Sequence, residues 1–242
     1  MMMMWSTAAA AAIALVTTVA WDAAAARERH VTFRTDDGVT IAAEWYEPSP
    51  RPGPAVILVH MLHRSKRDLD PLARRLASEG MGALAIDLRG HGESTGSAGS
   101  EGSEGGAYAP MVGDIRAARR FLASRADVQP SRIGVAGASI GANLAALAAA
   151  TDPAIAAVAL LSPSLDYRGL RIEQAMRKVP RPALLVASDD DPYAARSARE
   201  LQKGGGGPRE LIVVGQAGHG TAMLSRDADL FRTLVDWFRR TL

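Results

Sequence analysis

The stretch RIGVAGASIGANLAALAAA, residues 132–150, decides how this chain folds. After Arg132 it runs as a short apolar segment, and it ends in an alanine- and leucine-rich segment of strong helix formers. Between them GASIG, residues 137–141, sets Ser139 in a G-x-S-x-G frame. A strand that passes into a helix through so short a turn needs small residues on either side, because the two backbones approach closely. The turn also projects the serine hydroxyl clear of the backbone, beside helix N–H groups that have no intrahelical acceptor.

A second frame, GESTG at 92–96, offers Ser94 as a rival. In a chain with 23 glycines and 16 serines the pattern arises by chance, so the surroundings must decide. Ser94 stands seven residues past Asp87, the apparent end of its strand, and runs into a Gly/Ser tract with no helix after it. It reads as a loop serine making a local turn bond. Ser139 has the strand, both glycines and the helix.

Outward from this elbow, PAVILVH (54–60), GALAID (82–87), IAAVALL (155–161), PALLVA (182–187) and ELIVVG (210–215) are nearly continuous apolar runs, as expected of strands covered on both faces. Helical patterns separate them: DPLARRLASEG, MVGDIRAARRFLASRA, AARSARELQ and ADLFRTLVDWFRRTL. The alternation predicts an α/β fold with a mostly parallel central sheet and helices on both faces. HVTFRT and VTIAAEWYE flank Asp36-Asp37-Gly38, which predicts an N-terminal antiparallel hairpin. GSAGSEGSEGGA (96–107) reads as a mobile loop on the carboxyl side of the sheet, where such folds bind ligands.

Composition bounds the function. A chain of 242 residues, 48% hydrophobic and 22% charged, has enough apolar material for one globular domain, assigned to residues 26–242. Its formal charge is only +2, and its 25 arginines and three lysines are scattered without interleaved aromatics, which argues against a nucleic-acid partner. Cysteine is absent, so disulfides, thiolate catalysis and thiolate metal sites are excluded. Residues 1–21 carry no charged side chain and AAAA follows at 23–26; residues 1–25 therefore read as a signal peptide, implying a secreted or periplasmic protein. The leading segment lacks the usual Lys or Arg, so membrane anchoring through residues 1–21, or a misassigned start, stays open.

Taken in order, VILVH, AIDLRGHGES, GASIG, DDDP and AGHG make residues 31–242 resemble the α/β-hydrolase family, in particular its small-lid esterases and dienelactone-hydrolase-like members. The family commonly carries D-x-R-G-x-G-x-S in a loop beside the site, matched by Asp87, Arg89, Gly90, Gly92 and Ser94, which gives GESTG a shaping role. The resemblance implies the order serine, acid, histidine. His219, in AGHG after the last strand, is the histidine that follows Ser139. The family's acid frequently precedes a proline, which favours Asp191 before Pro192 over Asp190, Asp189 and Asp166.

A serine hydroxyl is a poor nucleophile unless a histidine takes its proton, and an acid must hold that imidazole in the useful tautomer. Catalytic roles are therefore assigned to Ser139, Asp191 and His219, with oxyanion N–H donors at Ile140 and Leu62. His60-Met61-Leu62 departs from the family's His-Gly-x, leaving Met61 as the alternative donor. His60 and His63, three apart with no local carboxylate, make a poor metal site, and three adjacent aspartates lack the alternation of a calcium loop. No metal or cofactor is expected. Residues 162–180 are too few for a large lid, so the implied reaction is two-step acyl transfer on a small-molecule carboxylic ester in a fairly open site. A peptidase or acyltransferase with the same triad, or a catalytically silent binding protein, remain the alternatives.

Overall fold

The structure, a computed structural model, describes residues 27–99 and 106–242. The expected leader, residues 1–25, and residues 100–105 of the expected mobile loop lie outside the described residues.

The chain opens with β1 (Glu28–Arg34) and β2 (Thr40–Tyr46), then β3 (Gly53–Val59), α1 (Asp70–Ser78) and β4 (Gly82–Ile86). It continues with α2 (Val112–Ala123), β5 (Val128–Ala138), α3 (Ile140–Thr151) and β6 (Ala157–Leu161). A small insertion follows, made of β7 (Asp166–Tyr167), β8 (Leu170–Arg171) and α4 (Glu173–Arg177). The chain closes with β9 (Ala183–Ser188), α5 (Pro192–Lys203), β10 (Arg209–Val214), α6 (Ala222–Arg226) and α7 (Ala228–Thr241).

Eight of these strands form one sheet in the order β1-β2-β4-β3-β5-β6-β9-β10. The hairpin β1–β2 is antiparallel and β2 pairs antiparallel with β4, while β4, β3, β5, β6, β9 and β10 run parallel. Period-two alternation sorts the apolar runs between two cores. Ala55, Ile57 and Val59 of β3 join α2, α3, α4 and α5 on one face. Val56 and Leu58 join α1, α6 and α7 on the other. This is the α/β-hydrolase fold.

Burial, more than helix propensity, holds α7. Its residues Leu230, Leu234, Trp237 and Phe238 repeat on one helical face and are buried, each contributing about 1.5–3 kcal/mol. The alanine-rich α3 is apolar nearly all round because it is covered on several sides, and its small side chains let β5 and β6 approach closely. This packing backs the turn between β5 and α3. No helix among the described residues is long and apolar enough to cross a membrane.

Candidate active site

Ser139 stands alone between the end of β5 and the start of α3, with φ 55° and ψ −119°. A non-glycine residue in such backbone costs about 1–3 kcal/mol and persists only when its surroundings over-determine it. Here its N–H donates to Leu161 O at 2.9 Å, and its carbonyl accepts from Ala142 N at 2.9 Å and Asn143 N at 3.3 Å. The flanking glycines are dictated by contact. A Cβ on Gly137 would fall 2.1 Å from Gly141 O, and one on Gly141 would fall 2.6 Å from Val59 O.

His219 enters from the loop after β10. Its Nε2 lies 2.8 Å from Ser139 Oγ, and its Nδ1 lies 2.5 Å from Asp191 Oδ2. Asp191 also caps α5: its Oδ1 accepts Ala194 N–H at 3.2 Å, with Pro192 in the first helical position. One carboxylate oxygen is thus fixed by the helix while the other meets the imidazole. The rival acids are engaged elsewhere. Asp189 accepts Gln216 N–H at 2.6 Å, Asp190 accepts Gly218 N–H at 2.9 Å, and Asp166 pairs with Arg171 at 2.9 Å.

The loop after β3 supplies the other expected donor. Leu88 N–H donates to His60 Nε2 at 3.0 Å, so the proton sits on Nδ1, which donates to Met61 O at 2.6 Å. Arg64 N–H meets the same carbonyl at 3.2 Å. In a trans peptide the N–H points opposite to the C=O, so this double anchoring fixes the direction of Leu62 N–H without a glycine at position 61. Burial keeps His60 neutral, pushing its pKa down to about 4. Both nitrogens serve the backbone, and neither is open to a metal.

Among the described residues, the group of three ligand-type side chains close enough to share an ion is His30, Glu44 and Glu93. They are already engaged: His30 hydrogen-bonds Glu44 at 3.0 Å, and Glu93 pairs with Lys66.

A cleft of about 380 Å³ opens at Ser139 and His219, walled by Pro163, Tyr167, Arg168 and Tyr193. Much of that wall is the insertion after β6. Arg168 and Gly169, at φ 47° and 87°, make the two-residue turn of the β7–β8 hairpin, a type I′ shape. Buried Asn143 of α3 pins the insertion, donating to Ser164 O at 2.8 Å and Leu170 O at 2.9 Å and accepting Ser164 N–H at 3.1 Å. Among the described residues nothing closes over the imidazole, whose side chain keeps 51% of its exposure.

Ser94 sits in the loop after β4. Its hydroxyl donates to Asp87 O at 2.7 Å and accepts Ala42 N–H at 2.9 Å. Asp87 is fully buried against Lys66 at 2.8 Å, and Arg89 bridges Asp114 and Asp37. This loop therefore braces β2 and α2, as a shaping role requires. The sequence reading missed the roles of Asn143, Ser162, Ser188 and the sulfur of Met61, because each acts through residues distant in the chain that the fold brings near.

Comparison with known proteins agrees with this architecture. Residues 50–203 match the family model Hydrolase_4, described as serine aminopeptidase, S33. The match takes in Ser139 and Asp191 and ends before His219. The chain belongs to this family and is a hydrolase of the α/β-hydrolase fold. It is 29% identical over 236 residues to protein Rv2307c of Mycobacterium tuberculosis (strain H37Rv), spanning 88% of this chain and 79% of that one. Among solved structures it superposes on a dienelactone hydrolase from Anabaena variabilis with TM-score 0.74 and 18% identity, over 90% of this chain and 99% of that one. The Pyrococcus furiosus esterase Pf2001 gives TM-score 0.73 and 18% identity, over 89% and 91%.

Proposed function

We propose that this hydrolase cleaves small carboxylic esters through a Ser139 acyl-enzyme. The observation that carries the reading is the continuous chain Ser139 Oγ, His219 Nε2, His219 Nδ1, Asp191 Oδ2, with links of 2.8 and 2.5 Å. Ser139 Oγ attacks the ester carbonyl while its proton passes to Nε2, and Asp191 stabilises the imidazolium that forms. The carbonyl oxygen, now negative, rests on the N–H groups of Ile140 and Leu62. His219 then gives the proton to the departing alcohol as the ester C–O bond breaks. Water attacks the acyl-enzyme, its proton again taken by His219, releasing the acid and restoring Ser139.

The family description favours one second reading, an aminopeptidase. Such an enzyme must bind the ammonium group of its substrate. Asp166 is the carboxylate among the described wall residues of the cleft, and Gly169 N–H and Arg171 occupy its oxygens at 2.8 and 2.9 Å. Tyrosines and an arginine fit an aromatic or neutral ester better. A matched panel of p-nitrophenyl esters, a thioester and aminoacyl p-nitroanilides tests the choice. Ester turnover exceeding anilide turnover by at least about 100-fold is expected; the reverse order would assign the peptidase.

A further inference from the structure

The loop carrying His219 is held chiefly by side chains. Five of its N–H groups go to side chains of other segments: Gln216 to Asp189 Oδ1 at 2.6 Å, Ala217 to Ser188 Oγ at 2.8 Å and Gly218 to Asp190 Oδ1 at 2.9 Å. Beyond the histidine, Gly220 donates to Ser162 Oγ at 2.8 Å and Thr221 to Met61 Sδ at 3.4 Å. Gln216, Gly218 and Gly220 have φ of 52°, 81° and 60°, a path that cannot continue the strand pairing of β10. Side-chain acceptors replace the ladder that this path gives up.

We infer that Asp190 is a positioning residue for His219, acting as a hydrogen-bond acceptor and not as a charge. This rests on the reading of Ser139, His219 and Asp191 as the catalytic set. One oxygen of Asp190 receives both the fully buried Ser188 hydroxyl and the N–H of Gly218, the residue before the histidine. Ser188 in turn accepts Ala217 N–H. Asp190 therefore locks two consecutive peptides ahead of His219 to the end of β9, the same strand end that presents Asp191. The three aspartates divide the work: Asp189 anchors the start of the loop, Asp190 sets its left-handed turn, and Asp191 meets the imidazole. The Ser188 hydroxyl and the Gly218 N–H also hold the Asp190 carboxyl below the usual carboxylate range, as an acceptor of two donors requires.

An acceptor role and a charge role separate on amide substitution. Asparagine keeps a carbonyl oxygen for Ser188 and Gly218, so Asp190→Asn is expected to stay within about 3-fold of wild type in kcat. Asp190→Ala removes the acceptor and is expected to lower kcat by about 10- to 100-fold with KM changed much less, the scale of a roughly 1 Å misplacement of a catalytic group. Asp191→Asn, which removes the charge facing imidazolium, is expected to lose about 10⁴-fold, with no rescue by the amide. Asp190 is exposed, so its variants are expected to fold.

The experiment is kcat and KM on p-nitrophenyl acetate for these variants, with one-dimensional proton NMR of the His219 Nδ1 proton in each. That low-field proton is expected in wild type and Asp190→Asn, and weakened or lost in Asp190→Ala in an otherwise native spectrum. Equal damage from alanine and asparagine at position 190, or a wild-type Nδ1 proton and kcat in Asp190→Ala, overturns the inference. A wild-type protein that turns over no ester would count against the proposed function, and the Nδ1 proton would still decide the role of Asp190.

Discussion

The sulfur of Met61 occupies the space into which a side chain on Gly220 would grow: a Cβ there would lie 2.1 Å from Sδ. Met61 belongs to the loop of the expected oxyanion donor, and Gly220 follows His219. The same sulfur accepts Thr221 N–H at 3.4 Å, so two loops of the site are matched through one residue that stands where the family usually has glycine.

Gly220→Ala is therefore expected to lower kcat/KM by about 10-fold or more, partly from contact with Met61 and partly because φ 60° costs an L-residue about 1–2 kcal/mol. Pairing it with Met61→Ala is expected to recover the contact part, giving an interaction energy of about 1–3 kcal/mol in a double-mutant cycle of kcat/KM. Strictly additive losses would show that the two loops are not coupled through the sulfur.

Ser94 braces the fold. Ser94→Ala is expected to keep ester turnover within about 3-fold while lowering stability by about 1–3 kcal/mol, because the N–H of buried Ala42 loses its acceptor. Urea denaturation and turnover of the same preparation check both halves. A folded Ser94→Ala protein without activity would reopen the choice of serine.

His60 makes stability fall in mild acid. Its pKa is about 4 in the fold, lowered first by burial and then opposed by the Met61 carbonyl, against about 6.5 in an unfolded chain. Between those values the unfolded state binds the extra proton. The stabilisation from neutral His60 is thus fully present above pH of about 6.5 and is lost as pH falls toward 4, on the order of 3 kcal/mol across the window. Nearby His91 adds to this shift, while Asp87 and Asp68 oppose it. Melting temperature measured from pH 7 to 4 is expected to drop, with a shallower drop in His60→Gln.

Strands and helices were legible because burial writes itself into the chain as apolar runs and helical periodicity, and GASIG was legible because steric limits at Gly137 and Gly141 leave few residues to choose from. The β7–β8 hairpin was not: its strands are two residues each, and its shape depends on Asn143, placed there by the packing of α3. The family's proline favoured Asp191 among the aspartates, yet what Asp189 and Asp190 do could not be read, since their partners lie 27 and 28 residues away in a loop of no regular structure. The missing glycine at position 61 had an answer in His60, which only tertiary contacts with Leu88 reveal.

The proposed mechanism makes Ser139 the nucleophile, activated by His219. Its most direct measurement is reaction of the protein with a fluorophosphonate, followed by peptide mapping of the adduct by mass spectrometry. One adduct is expected, on the peptide containing Ser139, abolished in Ser139→Ala, unaffected in Ser94→Ala, and formed at least about 100-fold more slowly in a folded His219→Ala variant. An adduct on Ser94 or another residue, or labelling of Ser139 at an undiminished rate without His219, would contradict it.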